Sequence, residues 1–151
     1  MVEKYRTFNI EEYEKFDKHK DTILSSLRSS LEKDMIIQIN PNKYGTDLLI
    51  KQYGAVKYVY DVEIKRAWKS YEFLYPDFHF TSRKYKDWIK WGTKFYTIMI
   101  NNEITRGILA HGDDIYQKHP PFQKCAGRPG EGQRLEKFYR LYVHEVIIFD
   151  L

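Results

Sequence analysis

The stretch AVKYVYDVEIKRAW, residues 55–68, constrains this chain more than any other. It is rich in Val, Ile and Tyr, the residues that suit a pleated strand. Side chains alternate faces along a strand. Asp61, Glu63 and Lys65 therefore project together, while Val62 and Ile64 point the other way, into a core. Tyr58 and Tyr60 fall on the Val62 face and are read as packing. Any fold of this chain must bury one face of the strand and leave three charged side chains on the other. An acid and a lysine two residues apart on one face are close enough to share a ligand.

The flanking sequence says what surrounds this strand. At 151 residues the chain reads as a single domain, 1–151, long enough to hide roughly 70% of its unfolded surface. The first 34 residues read as helix. Asn9 can cap it, Glu11 and Glu12 suit the first turn, and Ile23, Leu24, Leu27 and Leu31 form an apolar stripe. Met35 to Ile39 is a short strand ended by the turn signal NPNKYG. TDLLIKQY is a second strand, Gly54 a turn, and residues 55–68 the third. Lys69 to Pro76 reads as irregular. SRKYKDWIKWG follows as a helix, with Thr81 or Ser82 as cap and Gly92 as stop. KFYTIMI and EITRGILA suggest a hairpin across Asn101-Asn102. Residues 112–136, rich in Gly and Pro, read as a loop with at most one helical turn at its start. KFYRLYVHEVIIFDL closes the chain as one strand-like segment, with Leu141 and Val143 alternating against Arg140 and His144. The expected class is α/β or α+β, a central mixed sheet flanked by helices.

Composition narrows the chemistry. Cys125 is the only cysteine, which excludes an internal disulfide and a cysteine-caged zinc. That usage fits a reducing, cytoplasmic setting. No hydrophobic run approaches the roughly 20 residues of a membrane helix, and the polar start MVEKYRTFNIEEYEK does not read as a secretory signal. The net charge of +4 permits a polyanionic partner without requiring one. Aromatics mingle with Lys in KYKDWIKWGTKFY, a pattern that serves phosphate contact and base stacking but also ordinary strand packing.

Asp47, in Gly45-Thr46-Asp47-Leu48-Leu49-Ile50, opens the second strand. A short turn at Gly54 should pair that strand antiparallel with the third and bring Asp47 beside Glu63. Mg²⁺ takes hard oxygen ligands and is usually held by one or two carboxylates with phosphate and water. Asp47 and Glu63 would supply the carboxylates. Lys65 would orient a water or stabilise charge building on phosphate. Against this stands a plainer account, a solvated strand face whose cross-strand ion pair is worth under about 1 kcal/mol.

The arrangement resembles the PD-(D/E)XK nuclease superfamily: an acid at the start of the second core strand, then acid-x-Lys in the third. Asp47 and Glu63-Ile64-Lys65 match those positions, Gly45-Thr46 stands where a proline is nominal, and the resemblance covers residues from about 15 to 110. It implies a restriction-endonuclease-like core, an Mg²⁺ (or Mn²⁺) ion held by Asp47, Glu63 and the Ile64 carbonyl, and hydrolysis of DNA. It further implies an acid from the first helix, for which Asp17 and Asp21 are both candidates. Arg83 and Lys84, in the first turn of the helix after the third strand, are candidates for phosphate contact, against the bland reading of a solvated basic face. Lys118, Lys124, Arg128 and Arg134 add a basic loop. Asp113 and Asp114 are better read as cap and dipole partners than as metal ligands. His119 and His144 lack zinc spacing, Trp68, Trp88 and Trp91 are read as packing, and Cys125 has no convincing partner for nucleophilic work. The size and the Lys- and Tyr-rich composition give the impression of a phage or mobile-element product. DNA is the expected partner, and no membrane partner is expected. A second copy of the chain is a further candidate partner. The alternative function is a non-catalytic module on the same fold, binding nucleic acid or protein.

Overall fold

The computed structural model describes residues 10–42, 45–126 and 134–151. Helix α1 spans Ile10–Arg28, so the expected cap Asn9 lies outside the described residues. Strand β1 (Met35–Ile39) follows, then β2 (Leu48–Gln52) and β3 (Ala55–Lys65). After an irregular stretch come β4 (Asp77–Thr81), a 3-10 turn at Ser82–Lys84 and α2 (Tyr85–Trp91). Strands β5 (Phe95–Asn101) and β6 (Arg106–His111), helix α3 (Gly112–Gln117), and strands β7 (Phe122–Ala126), β8 (Arg134–Tyr142) and β9 (Ile147–Asp150) complete the chain.

These elements form an α+β fold with two sheets. Six strands in the order β9-β6-β5-β3-β2-β1 make a mixed sheet, and β4-β8-β7 make a second, antiparallel one. Within the larger sheet only β3 and β5 run parallel, Val59 opposite Phe95 through Lys65 opposite Asn101. That pairing needs a crossover, since parallel neighbours cannot be joined by a tight turn. The crossover is the segment carrying β4 and α2.

Alternation along β3 divides the core as its sequence requires. Tyr60 and Ile64 join Ile23, Leu24 and Leu27 of α1, with Ile98 and Ile100 of β5, on one face. Val59 joins Trp68, Phe78, Phe80, Phe95, Tyr116 and Leu141 on the other. The second sheet, α2 and α3 therefore pack on the face that also carries Asp61, Glu63 and Lys65.

Four expectations are revised. Asp77–Thr81, not foreseen as a strand, pairs with β8 and buries Phe78 and Phe80. The expected loop 112–136 contains a six-residue helix and strand β7. The closing segment is two strands in different sheets, split by a 3-10 turn at Val143–Glu145. In the β5–β6 hairpin the positive φ falls at Ile104 (59°), not at Asn101 or Asn102. Asn101 is fully buried instead. Its side-chain Oδ1 accepts from the Thr105 and Arg106 backbone N–H groups and its Nδ2 donates to Ser70 O and Thr105 Oγ1. Local polarity suggested a turn tip, but a side chain that satisfies four neighbouring groups is more valuable inside.

Trp68 is buried as expected, while Trp88 and Trp91 lie half-buried against the same core. Thr81 caps the 3-10 turn through Arg83 N–H, and Gly92 ends α2 at φ 59°, both as the sequence indicates. Among the described residues, no helix is long and apolar enough to cross a membrane.

Candidate functional site

Asp47 reaches its position through a register shift. At the turn, Gln52 pairs with Ala55 and Lys51 with Val56, but from Ile50 onward the pairing moves by one, Ile50 with Tyr58 and Leu48 with Tyr60. A one-residue slip sends every side chain to the opposite face, and a bulge is the device that makes it. Carried one residue further, the shifted register sets Asp47 opposite Asp61, on the face of Glu63 and Lys65. Without the bulge it would face Tyr60 and the α1 core. Two hydrogen bonds fix it there. Val62 N–H donates to Asp47 Oδ2 at 2.7 Å, and Asn40 N–H donates to the Asp47 carbonyl at 3.0 Å.

Asp61 is the acid that meets Asp47. It is buried, at 6% exposure, and Lys84 Nζ lies 3.1 Å from its Oδ1. Asp47 is pushed up from 3.8 to about 8, first by burial and then by the negative charge of Asp61. Two carboxylates this close do not both ionise freely. The proton affinity of Lys84 is raised, chiefly by Asp61, so its ammonium stays charged. Asp87, in the first turn of α2, is also raised, mainly by burial, within reach of both Lys84 and Asp61. Three acids, Asp61, Asp47 and Asp87, act on the one ammonium of Lys84.

Glu63 and Lys65 continue the row. Lys65 Nζ lies 3.8 Å from Glu63 Oε1, and both are partly exposed. The structure thus puts Asp47, Asp61, Glu63 and Lys65 on one face. The contact Asp47 makes, however, is with Asp61, whereas Glu63 is paired with Lys65. Among the described residues no three His, Cys, Asp or Glu side chains converge to hold a metal. A hard cation that keeps phosphate and water in its shell needs only one or two carboxylates, so the Asp47–Asp61 donor set fits Mg²⁺ or Mn²⁺ in kind.

No family model, curated protein or solved structure matches the chain. The resemblance to the PD-(D/E)XK nucleases therefore rests on the residues themselves.

The remaining candidates separate. Arg83 and Lys84 are neighbours with different surroundings. Lys84 turns inward to Asp61. Arg83 is exposed, bonded by its Nε to Thr81 Oγ1 at 3.2 Å and 3.9 Å from Glu136. Asp17 pairs with Lys20, and Asp21 lines a shallow depression with Asp150 and Leu151. Both belong to α1, which packs on the opposite face of the sheet from Asp61. Lys118 pairs with Glu145 and Arg134 with Glu136, while Arg128 lies outside the described residues. Asp113 accepts from Trp88 Nε1 at 2.8 Å, and α3 has no side-chain cap, so only the first-turn placement of Asp113 and Asp114 holds. His119 bonds Glu145, and Cys125 is free and exposed.

Sequence reasoning put Asp61 on the active face but gave it no role, and it overlooked Asp87. Lys84-x-x-Asp87 is an ordinary helical spacing, and Asp61 becomes notable only once the bulge has aimed Asp47 at it.

Proposed function

We propose that this protein is a metal-dependent nuclease that hydrolyses phosphodiester bonds of DNA. The observation that carries the reading is the Asp47–Asp61 pair: Asp47, pinned to a strand amide, faces the buried Asp61, and burial with that neighbouring charge raises the proton affinity of Asp47. In this reading Asp47 and Asp61 would supply carboxylate oxygens, and Glu63, paired with Lys65 in the metal-free chain, would leave that pair to join them with the Ile64 carbonyl. A bound Mg²⁺ or Mn²⁺ would polarise the phosphoryl oxygen and acidify a water. Lys65 would orient a water and offset charge growing on the phosphate. Lys84 holds the Asp61 carboxylate in place at 3.1 Å, and Arg83, exposed beside it, would reach for the strand. A helix followed by an antiparallel hairpin and a parallel return, the arrangement of α1, β1–β3 and β5, supports the family assignment.

The competing reading is a binding module with no chemistry. It draws on Lys84, whose ammonium already balances Asp61 as a fixed cation would. Three variants decide between them. Asp47→Ala and Glu63→Ala should abolish both Mn²⁺ binding by calorimetry and cleavage of plasmid DNA. Lys65→Ala should leave Mn²⁺ binding intact and cut cleavage by about 10²- to 10³-fold. A folded Lys65→Ala that cleaves as fast as wild type sinks the mechanism. A wild type that binds DNA but cleaves neither plasmid nor single strands in Mg²⁺ or Mn²⁺ selects the module.

A further inference from the structure

Lys84 stands at the N-cap position of α2, where its side chain makes no capping bond. Among the described residues its ammonium has a single ion-pair partner, Asp61 Oδ1 at 3.1 Å. The two ends of this pair are unlike. The Asp61 carboxylate is buried, while the Lys84 side chain is partly exposed, so the lysine has an open side and the acid does not. Asp61 is fixed by the strand that carries it, whereas the ammonium rides on four rotatable bonds.

Three residues further on, Asp87 lies in the first turn of α2. Positions three apart on a helix are neighbours, about 5–6 Å from Cβ to Cβ, which is within the length of a lysine side chain. Asp87 is half-buried, yet among the described residues its carboxylate accepts no hydrogen bond and has no cation within 4 Å. Lys90, its neighbour on the other side, is turned over the Trp91 ring instead. Lys86, adjacent in the chain, does not share its side of the helix. Lys84 thus has two carboxylates in reach, one taken and one vacant. A partly desolvated carboxylate without a partner is costly, and a return contact from Lys84 would relieve it.

We infer that Lys84 is a two-position counter-ion of the acid pair, on Asp61 in the metal-free chain and on Asp87 when a divalent cation is held by Asp47 and Asp61. This rests on the metal-site reading of those two acids. Without metal, the ammonium offsets the charge of a buried carboxylate and keeps α2 against the acid face. With a divalent cation on the same carboxylate, the ammonium meets like charge at short range. Lys84 then turns about its side-chain bonds to the vacant Asp87, where it again faces a full negative charge, and the backbone of α2 stays in place. Metal entry and Lys84 release are one event. The wild-type site therefore binds a divalent cation less tightly than its carboxylates would if Lys84 were neutral.

The test is a titration of metal-free protein with Mg²⁺, followed by calorimetry and by the ε resonances of Lys84 in NMR. In wild type those resonances should shift saturably, along the same isotherm as the heat. Lys84→Met should bind Mg²⁺ about tenfold more tightly, the order of one partly buried ion pair. Asp87→Asn should bind it about threefold more weakly, and in the Lys84→Met background that loss should largely vanish, as it must for two residues acting through one contact. Lys84→Gln, which keeps a donor without the charge, replaces the methionine variant if that one fails to fold. Equal Mg²⁺ affinity in wild type and the neutral variant overturns the inference, and so do Lys84 resonances that stay still while Mg²⁺ binds. An Asp87→Asn loss of the same size in both backgrounds makes Asp87 a direct metal ligand and overturns the second position. No saturable Mg²⁺ binding by wild type overturns the metal site and the two-position lysine together. Metal-coupled movement of Lys84 without cleavage of plasmid DNA sinks the nuclease reading alone.

Discussion

Replacing Asp47 by Asn should change how stability depends on pH. In the folded protein the Asp47 carboxyl titrates near 8, against 3.8 for its ordinary value. The folded state therefore binds a proton that the unfolded chain releases between about pH 4 and pH 8, and stability falls as pH rises through that window. Below it, both states are protonated and the carboxyl contributes no slope; above it, the full cost of a buried ionised pair is present. Each tenfold difference in proton affinity is worth about 1.4 kcal/mol. Asp47 should thus cost the metal-free protein up to about 4 kcal/mol at pH 7 relative to pH 4. Water entering from the exposed side of Lys84, whose side chain is 39% accessible, lowers that ceiling. Asn cannot ionise, yet its amide oxygen still accepts from Val62 N–H. Urea unfolding in EDTA, across the same range, should give wild-type and Asp47→Asn curves that meet near pH 4 and diverge steadily, the variant more stable. Parallel curves would mean that Asp47 titrates as an exposed carboxylate and does not face Asp61 in a dry site. Mn²⁺ should flatten the wild-type curve by displacing the proton and leave the variant unmoved.

Lys84→Met strips the ammonium from a carboxylate that is 8% exposed; breaking a fully buried pair costs about 3–5 kcal/mol, and the 39% exposure of the Lys84 side chain brings the expected loss below that range. The melting temperature should drop at neutral pH. Arg83→Ala, on an exposed side chain, should leave stability within about 0.5 kcal/mol of wild type and reduce the salt slope of DNA binding by about one. Gly107→Ala places a methyl group 2.7 Å from the Phe149 ring. Displacing β9 from the sheet edge should cost about 1–3 kcal/mol in urea titrations. Asn101→Ala, at a fully buried position, removes the partner of the part-buried Thr105 and Arg106 amides and of the Ser70 carbonyl. About 3 kcal/mol or more is expected from the same assay.

Much of the frame was written locally. The alternation of residues 55–65 sufficed to give β3 its length, its apolar face and its charged face, because a strand with period two has only one way to bury Val62 and Ile64. The apolar stripe of α1, the cap at Thr81 and the stop at Gly92 are likewise decided by neighbours within a turn. What the sequence alone left undetermined depends on partners distant in the chain. Strand β4 is five residues that become a strand because β8 arrives to pair with them. The final segment divides because the two sheets compete for its two halves. The partner of Asp47 was decided by a single bulge, where the register shifts between Ile50 and Lys51 and leaves Lys57 of β3 as the extra residue. Sequence spacing pointed to Glu63, but the register points to Asp61, and nothing local to either strand carries that shift. Lys84 read as a phosphate contact because its own helix leaves it basic and exposed. Only the crossover that lays α2 on the acid face turns it toward Asp61, and there Coulomb attraction in a partly dry site outweighs hydration of its ammonium.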